Sequence, residues 1–215
     1  MECGWLKLVC RNSVLLSMTV SQLKPRNTIS LEDYFSQLSA SELKLEYHNG
    51  EIVAMAGAQP RHVEIQSNIV GLFFACLKAK GCSILGSDLL VKAGDCNNFY
   101  FPDLVIVCQE RKYFKSPGGL DALENPEVII EILSPGTELF DRTYKLDCYR
   151  TIPGFKEYIL VSSTKKQIEV QTRLSDVEWL SHIYQEGDTA LTINGCEILF
   201  EDVYDKVEFD LGEEV

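Results

Sequence analysis

A glutamate stands in the middle of a six-residue apolar run, Val128-Ile129-Ile130-Glu131-Ile132-Leu133. An ionised carboxylate is costly to bury in such a strand, so Glu131 must be paired, protonated or bound to a cation. Asp103 offers it company. It follows Pro102 and opens a second apolar run, Asp103-Leu104-Val105-Ile106-Val107-Cys108, 28 residues before Glu131. Two neighbouring strands can bring these carboxylates to one edge of a sheet. Like charges held close raise a pKa unless a cation neutralises them, and an all-oxygen donor set favours Mg2+ or Mn2+. Lys145 is the third member. It lies on the helix expected after the Glu131 strand, spaced i, i+4 from Asp141. Pointing back over the sheet edge, it would orient or deprotonate a water and stabilise a pentavalent phosphate. The plainer alternatives are an ordinary salt bridge for Glu131 and a surface Asp141–Lys145 pair worth about 0.2–0.5 kcal/mol.

Other residues join the list with less behind them. His62 opens the long helix after Gln59-Pro60-Arg61 and suits either a structural role or a place beside the site. Glu46 or Glu51, on a hairpin, would supply a further carboxylate, with a solvent-facing strand residue as the alternative. Asp88 is a weaker candidate, and His48 and His182 have no evident partner. Arg111, Lys112 and Lys115 form a small basic group that fits a solvated loop better than a phosphate contact.

The elements that must position these residues read as follows. A short helix is expected over 31–40, capped by Thr28 or Ser30, with Glu32 and Asp33 in its first turn. Two β-prone runs flank Asn49-Gly50 over 44–55, a hairpin signal because both turn residues need positive φ. Residues 61–80 take helical spacing through Ile65, Ile69, Leu72, Phe73, Cys76 and Leu77, and Gly81 follows as a C-terminal cap. Strands are expected over 83–91 and 100–108 with a turn at 94–98, then a polar loop over 111–125. The run 128–133 reads as a strand buried on both faces. A helix over 137–150 starts at Thr137, strands follow over 157–162 and 167–173, and the remainder reads as β-rich trim with a short turn over 201–204. The order helix, strand, strand, strand, helix, strand implies an α/β fold: a mixed sheet flanked by helices, with an N-terminal helix and hairpin and C-terminal β trim.

At this point the chain resembles a known family. Pro102-Asp103, the string Glu131-Ile132-Leu133-Ser134-Pro135-Gly136-Thr137, Asp141-Arg142, Lys145, Tyr149-Arg150 and Ile152-Pro153 look like the Uma-type family of restriction endonucleases. That family lies within the PD-(D/E)XK nuclease superfamily. The likeness extends to Tyr47, Gly50-Glu51-Ile52, His62 and the strand beginning at Glu157, and covers roughly residues 28–210. It implies a restriction-endonuclease-like αβββαβ core, Asp103 and Glu131 as metal ligands, and the Ile132 carbonyl as a third. It also carries a departure. The superfamily places a lysine two residues after the glutamate, where this chain has Leu133, so the resemblance assigns that role to Lys145. The implied activity is Mg2+- or Mn2+-dependent hydrolysis of DNA phosphodiesters, leaving a 5′-phosphate. The alternatives are a non-catalytic nuclease-fold module for binding or assembly, and a hydrolase of small phosphate esters.

Composition sets outer bounds. The 215 residues suit one domain, and 46% hydrophobic content supplies a core. The net charge of −12 argues against a protein that coats nucleic acid non-specifically. Eight acids against Lys206 from Glu197 onward account for −7 of it, which leaves −5 for residues 1–196. Among the eight cysteines no C-x-x-C pair occurs, and Cys76, Cys108 and Cys148 fall in apolar periodic segments, so the chain is read as reduced and cytoplasmic. No apolar run approaches the ~20 residues of a membrane span. Residues 1–27 are expected to be a poorly ordered extension and 211–215 an acidic tail. Cutting both strands of a duplex makes a homodimer the natural assembly.

Overall fold

The computed structural model describes residues 28–55 and 57–209; the expected extension over 1–27 and tail over 211–215 lie outside the described residues. Helix α1 (Leu31–Ala40) is capped by Ser30, whose hydroxyl accepts the Asp33 N–H. The hairpin β1 (Leu45–His48) and β2 (Glu51–Ala54) turns at Asn49-Gly50, with φ of 49° and 87°. Helix α2 (Pro60–Ala79) has Pro60 in its first turn, where the missing N–H costs nothing. It ends in a glycine cap: Gly81 has φ 74°, its N–H donates to Lys78, and the Cys82 N–H donates to Leu77.

The two strands expected over 83–91 and 100–108 each break in two, and this correction positions the site. The first gives β3 (Ser83–Gly86) and β4 (Val91–Ala93); after a 3-10 turn (Gly94–Cys96) the second gives β5 (Asn98–Tyr100) and β6 (Leu104–Val107). β3 pairs with β6 and β4 with β5, both antiparallel. The long hairpin therefore bends midway and passes from one sheet into another. Pro102 sits in the bend and has no N–H to give to either ladder. The loop expected over 111–125 contains two short strands, β7 (Tyr113–Phe114) and β8 (Ala122–Leu123).

Strand β9 (Val128–Leu133) is buried at all six positions. A helical segment follows in three pieces: α3 (Glu138–Phe140), a π turn (Asp141–Lys145) and α4 (Leu146–Tyr149). Thr137 stands at its start, although its side chain makes no cap bond to the backbone. Next come β10 (Glu157–Ser162), β11 (Gln167–Arg173), β12 (Trp179–Gln185), the hairpin β13 (Ala190–Ile193) and β14 (Cys196–Leu199), and the short α5 (Phe200–Val203).

The central sheet has the order β12-β11-β10-β9-β6-β3, with β9 and β10 parallel and the other pairs antiparallel. This is the mixed sheet expected from the sequence. Parity along β9 sorts its side chains. Val128, Ile130 and Ile132 pack with Ile65, Ile69, Phe73 and Leu77 of α2. Ile129 and Leu133 pack on the other face with Leu146 and Tyr149 of α4. Each such aliphatic side chain contributes about 1.5–3 kcal/mol of burial. The second sheet, β2-β1-β5-β4-β8-β7, carries α1 through Tyr34, Phe35, Tyr47 and Phe99.

The cysteines depart from expectation. Six of the eight are paired, as Cys76–Cys196, Cys82–Cys108 and Cys96–Cys148. Their burial was legible, but their partners come from other elements. Cys82 and Cys108, for example, extend the Ser83–Val107 register by one residue. These bridges overturn the expectation of reduced cysteines and remove the basis it gave for a cytoplasmic compartment. Among the described residues no helix is long and apolar enough to cross a membrane.

A buried carboxylate cluster at the junction of the two sheets

The backbone bend at residues 101–103 is tied down by acids. The Phe101 N–H donates to Glu46 Oε1 at 2.9 Å, and the Asp103 N–H donates to Glu131 Oε2 at 3.2 Å. Asp103 answers across the gap: its Oδ2 accepts the Ile132 N–H at 2.7 Å. That N–H is free because β6 pairs with β9 only as far as Leu104–Ile130. The Asp103 side chain thus takes the place of the next ladder bond. Helix α2 holds Asp103 from the other side, with His62 Nε2 2.9 Å from Oδ1 and Gln66 Nε2 donating to the Asp103 carbonyl at 2.8 Å.

Lys145 projects into the same place. Its Nζ lies 3.2 Å from Glu46, 3.3 Å from Glu131 and 3.2 Å from Asp141. The π turn presents Asp141 and Lys145 inward together, while Thr143 and Tyr144 face out. Such turns gather at functional sites. Glu46, Glu131, Asp141 and Lys145 are all at most 6% exposed. Asp141 Oδ1 is not aligned for a hydrogen bond with the ammonium and has no hydrogen-bond partner among the described residues; the hydroxyl of Tyr149 is equally orphaned.

Burial drives Glu131 well above the ordinary glutamate range; Lys145 opposes this, and Asp141, Asp103 and Glu46 add to it. Burial likewise raises Glu46 and Asp141 against the pull of Lys145. For Lys145 burial pulls downward, but Glu131, Glu46 and Asp141 outweigh it and hold the ammonium well above its usual value. The surrounding acids thus set the Lys145 ammonium to act electrostatically. Four carboxylates here face one ammonium and one imidazole.

A hard divalent cation suits the carboxylate oxygens that dominate this donor set. The surplus of acid over cations fits such an ion. Among the described residues, no three His, Cys, Asp or Glu side chains are already spaced to grip one. The point where three carboxylates converge is held by Lys145.

The site gathers Asp103, Glu131, Lys145, His62 and Glu46 from five separate stretches of sequence, with the Ile132 backbone beside them. It excludes other candidates. Glu51 is exposed, and Asp88 is almost fully exposed and pairs with Lys44. Arg111 reaches Ser83 and Lys115 pairs with Asp121. His48 does have partners, Tyr100 at 2.5 Å and the side chains of Asn49 and Asn98. Sequence reasoning noticed Asp141 only as the companion of Lys145; that i, i+4 spacing was the signal for a fourth carboxylate. Gln66 gave no signal at all, and Tyr149 entered only as part of the motif that carries the resemblance.

The architecture is that of a restriction-endonuclease-like α/β fold. A protein of Anabaena variabilis ATCC 29413, described as a putative nuclease belonging to DUF820, superposes with a TM-score of 0.65 at 20% identity, over 82% of this chain and 98% of that one. At that identity the likeness speaks for the fold alone. Two Synechocystis proteins, both described as uncharacterized, align over most of their length. One, slr1290, is 32% identical over 164 residues, 76% of this chain and 84% of its own; the other, sll1609, is 27% identical over 152 residues, 71% and 85%. The family model described as "Putative restriction endonuclease", Uma2, matches residues 31–200, and the chain belongs to that family.

Proposed function

We propose that the protein is an endonuclease that hydrolyses DNA phosphodiesters with Mg2+ or Mn2+. The observation behind this reading is the surplus of buried carboxylates over cations where the two sheets part. Asp103, Glu131 and the Ile132 carbonyl would hold the ion, and Glu46 would add a carboxylate near it. When bound, the ion supplies Lewis acidity toward the scissile phosphate and lowers the pKa of a coordinated water. The chain's own residues do the rest. His62 and Gln66 fix the rotamer and backbone of Asp103. Lys145 stabilises negative charge developing on the phosphate. Glu46 and Asp141 hold its ammonium in place until substrate arrives. A homodimer would cut both strands.

Supercoiled plasmid incubated with Mg2+, Mn2+ or EDTA tests the reading. Nicked or linear product is expected with either metal and none with EDTA, and Asp103→Ala is expected to abolish it. Cleavage that survives EDTA or Asp103→Ala would remove the assignment.

A second reading, a non-catalytic module on the nuclease fold, is favoured by one observation: Lys145 already occupies the convergence point of the acids. Calorimetry separates the two. Mn2+ binding that Glu131→Gln removes supports the nuclease; no heat at millimolar Mn2+ supports the module.

A further inference from the structure

One feature beside the carboxylates has no part in holding them. The π turn and the β1–β2 hairpin place a set of rings against the cluster. Lys145 Nζ lies 5.4 Å from the Tyr100 ring centre and 6.0 Å from that of Phe140. His48 continues the group outward. Its ring stands edge-on to Phe140 at 4.9 Å and to Tyr144 at 5.5 Å, and is stacked over Tyr100 at 6.1 Å. His48 follows Glu46 by two residues on β1, so both side chains leave the same face of the strand. The wall runs from a fully buried Tyr100 beneath, through half-buried His48 and Phe140, to Tyr144 at 56% exposure. A core cluster would close over its outermost aromatic ring; this one leaves it in water next to the proposed site.

Charge says what the wall is for. The two cations of the π turn are already engaged, Arg142 by Glu138 and Glu169 and Lys145 by three acids. The chain carries −12 overall. A phosphate clamp of the kind that grips duplex backbone is therefore missing from the very segment that borders the site. Aromatic faces attract bases without needing charge, and every base offers a π-face once it is unpaired. In an intact duplex those faces are covered by neighbouring base pairs.

We infer that Tyr144 and His48, backed by Phe140, stack an unpaired nucleobase beside the scissile phosphate, so that the protein takes single-stranded or locally unpaired DNA in preference to intact duplex. This deepens the nuclease reading and rests on it for the position of the phosphate. The two fail separately, because stacking is read by binding and not by cleavage.

The test is fluorescence anisotropy with a labelled single-stranded oligonucleotide and the same strand annealed to its complement, in Ca2+ at low salt. The single strand is expected to bind at least about tenfold more tightly than the duplex, and Tyr144→Ala to weaken single-strand binding by about 5- to 150-fold. Tyr144→Phe, which keeps the ring, is expected to bind as the parent does, and all variants to melt with the parent because the side chain is exposed. Equal affinity for both forms, loss in Tyr144→Phe equal to that in Tyr144→Ala, no effect of Tyr144→Ala, or no binding of either DNA would overturn the inference. A plasmid left uncut in every metal, alongside the expected binding losses, would instead retire the nuclease reading and keep the wall.

Discussion

Two buried glutamates lie four residues apart, Glu127 just before β9 and Glu131 within it, and only one of them makes a candidate site. Glu127 is 3% exposed and Glu131 is 4% exposed. Each accepts a backbone N–H from the neighbouring β5–β6 segment, Glu127 from Cys108 and Glu131 from Asp103. Each also has a lysine, Lys156 for Glu127 and Lys145 for Glu131. The difference is stoichiometric. Glu127 has Lys156 to itself, and that lysine reaches water with its side chain 55% exposed. Glu131 shares a lysine only 5% exposed with Glu46 and Asp141. Burial of a carboxylate is thus no signal by itself, since a one-to-one pair is satisfied. A three-to-one ratio leaves charge that only protons or an added cation can balance.

The sharpest way to break this comparison is to neutralise each glutamate in turn. Glu131→Gln is expected to lower plasmid cleavage on the order of 10³-fold, the scale of several kcal/mol of lost charge stabilisation. Glu127→Gln is expected to leave cleavage within about threefold and to cost stability instead, about 1.5–3 kcal/mol for a weakened charge-assisted bond. Cleavage rates and denaturant melts on both variants decide it. Equal catalytic loss in the two would dissolve the distinction.

Removing the shared lysine is next in size. Lys145→Met leaves three buried carboxylates without their counter-ion, and breaking a buried pair in this way costs about 3–5 kcal/mol. In EDTA the variant is expected to unfold at lower denaturant than the parent, and Mn2+ is expected to restore part of the loss. No destabilisation in EDTA would show that the carboxylates are already protonated and need no ammonium.

Each of the two glutamates also has a disulfide nearby. Cys82–Cys108 includes the residue whose N–H serves Glu127, and Cys96–Cys148 ties the turn after β4 to α4, three residues past Lys145. Loops of 26 and 52 residues make these bridges worth about 3.5 and about 4 kcal/mol through restriction of the unfolded chain. Non-reducing peptide maps should recover both pairs, and dithiothreitol should lower the denaturant midpoint. Reduced cysteines in protein handled without reductant would return the chain to the reading its sequence suggested.

What the sequence disclosed follows the range of the physics involved. Local signals held: the Ser30 cap, the Asn49-Gly50 turn, the Gly81 cap and the buried run of β9 each depend on residues a few positions apart. Asn194-Gly195 turns β13 into β14 with φ of 48° and 69°, by the same chemistry as Asn49-Gly50, and was legible but unused. The break of two strands between two sheets was not legible, because Pro102 marks an interruption without saying where the chain goes next. Asp103, Glu131 and Lys145 were found because a charge in an apolar strand demands a partner. Gln66 looks like any polar helix residue until the fold turns it inward, and the cysteine partners needed the register of strands far apart in sequence.

The smallest effect separates the two glutamates by pH. Burial raises Glu131, Glu46 and Asp141 above their ordinary values of 4.5, 4.5 and 3.8. The folded cluster therefore holds protons more tightly than the unfolded chain does. Its contribution to stability is full below the unfolded values and is lost as pH rises through the raised folded ones. In EDTA the melting temperature should fall from acidic toward neutral pH by this mechanism. Glu131→Gln, which keeps the shape and removes one titrating group, should flatten the slope, whereas Glu127→Gln should not. Saturating Mg2+ should reverse the trend, because the ligands must shed those protons to bind it. If the slope in EDTA is the same for the parent and Glu131→Gln, the excess acid is neutralised some other way, and the contrast between the two glutamates loses its electrostatic basis.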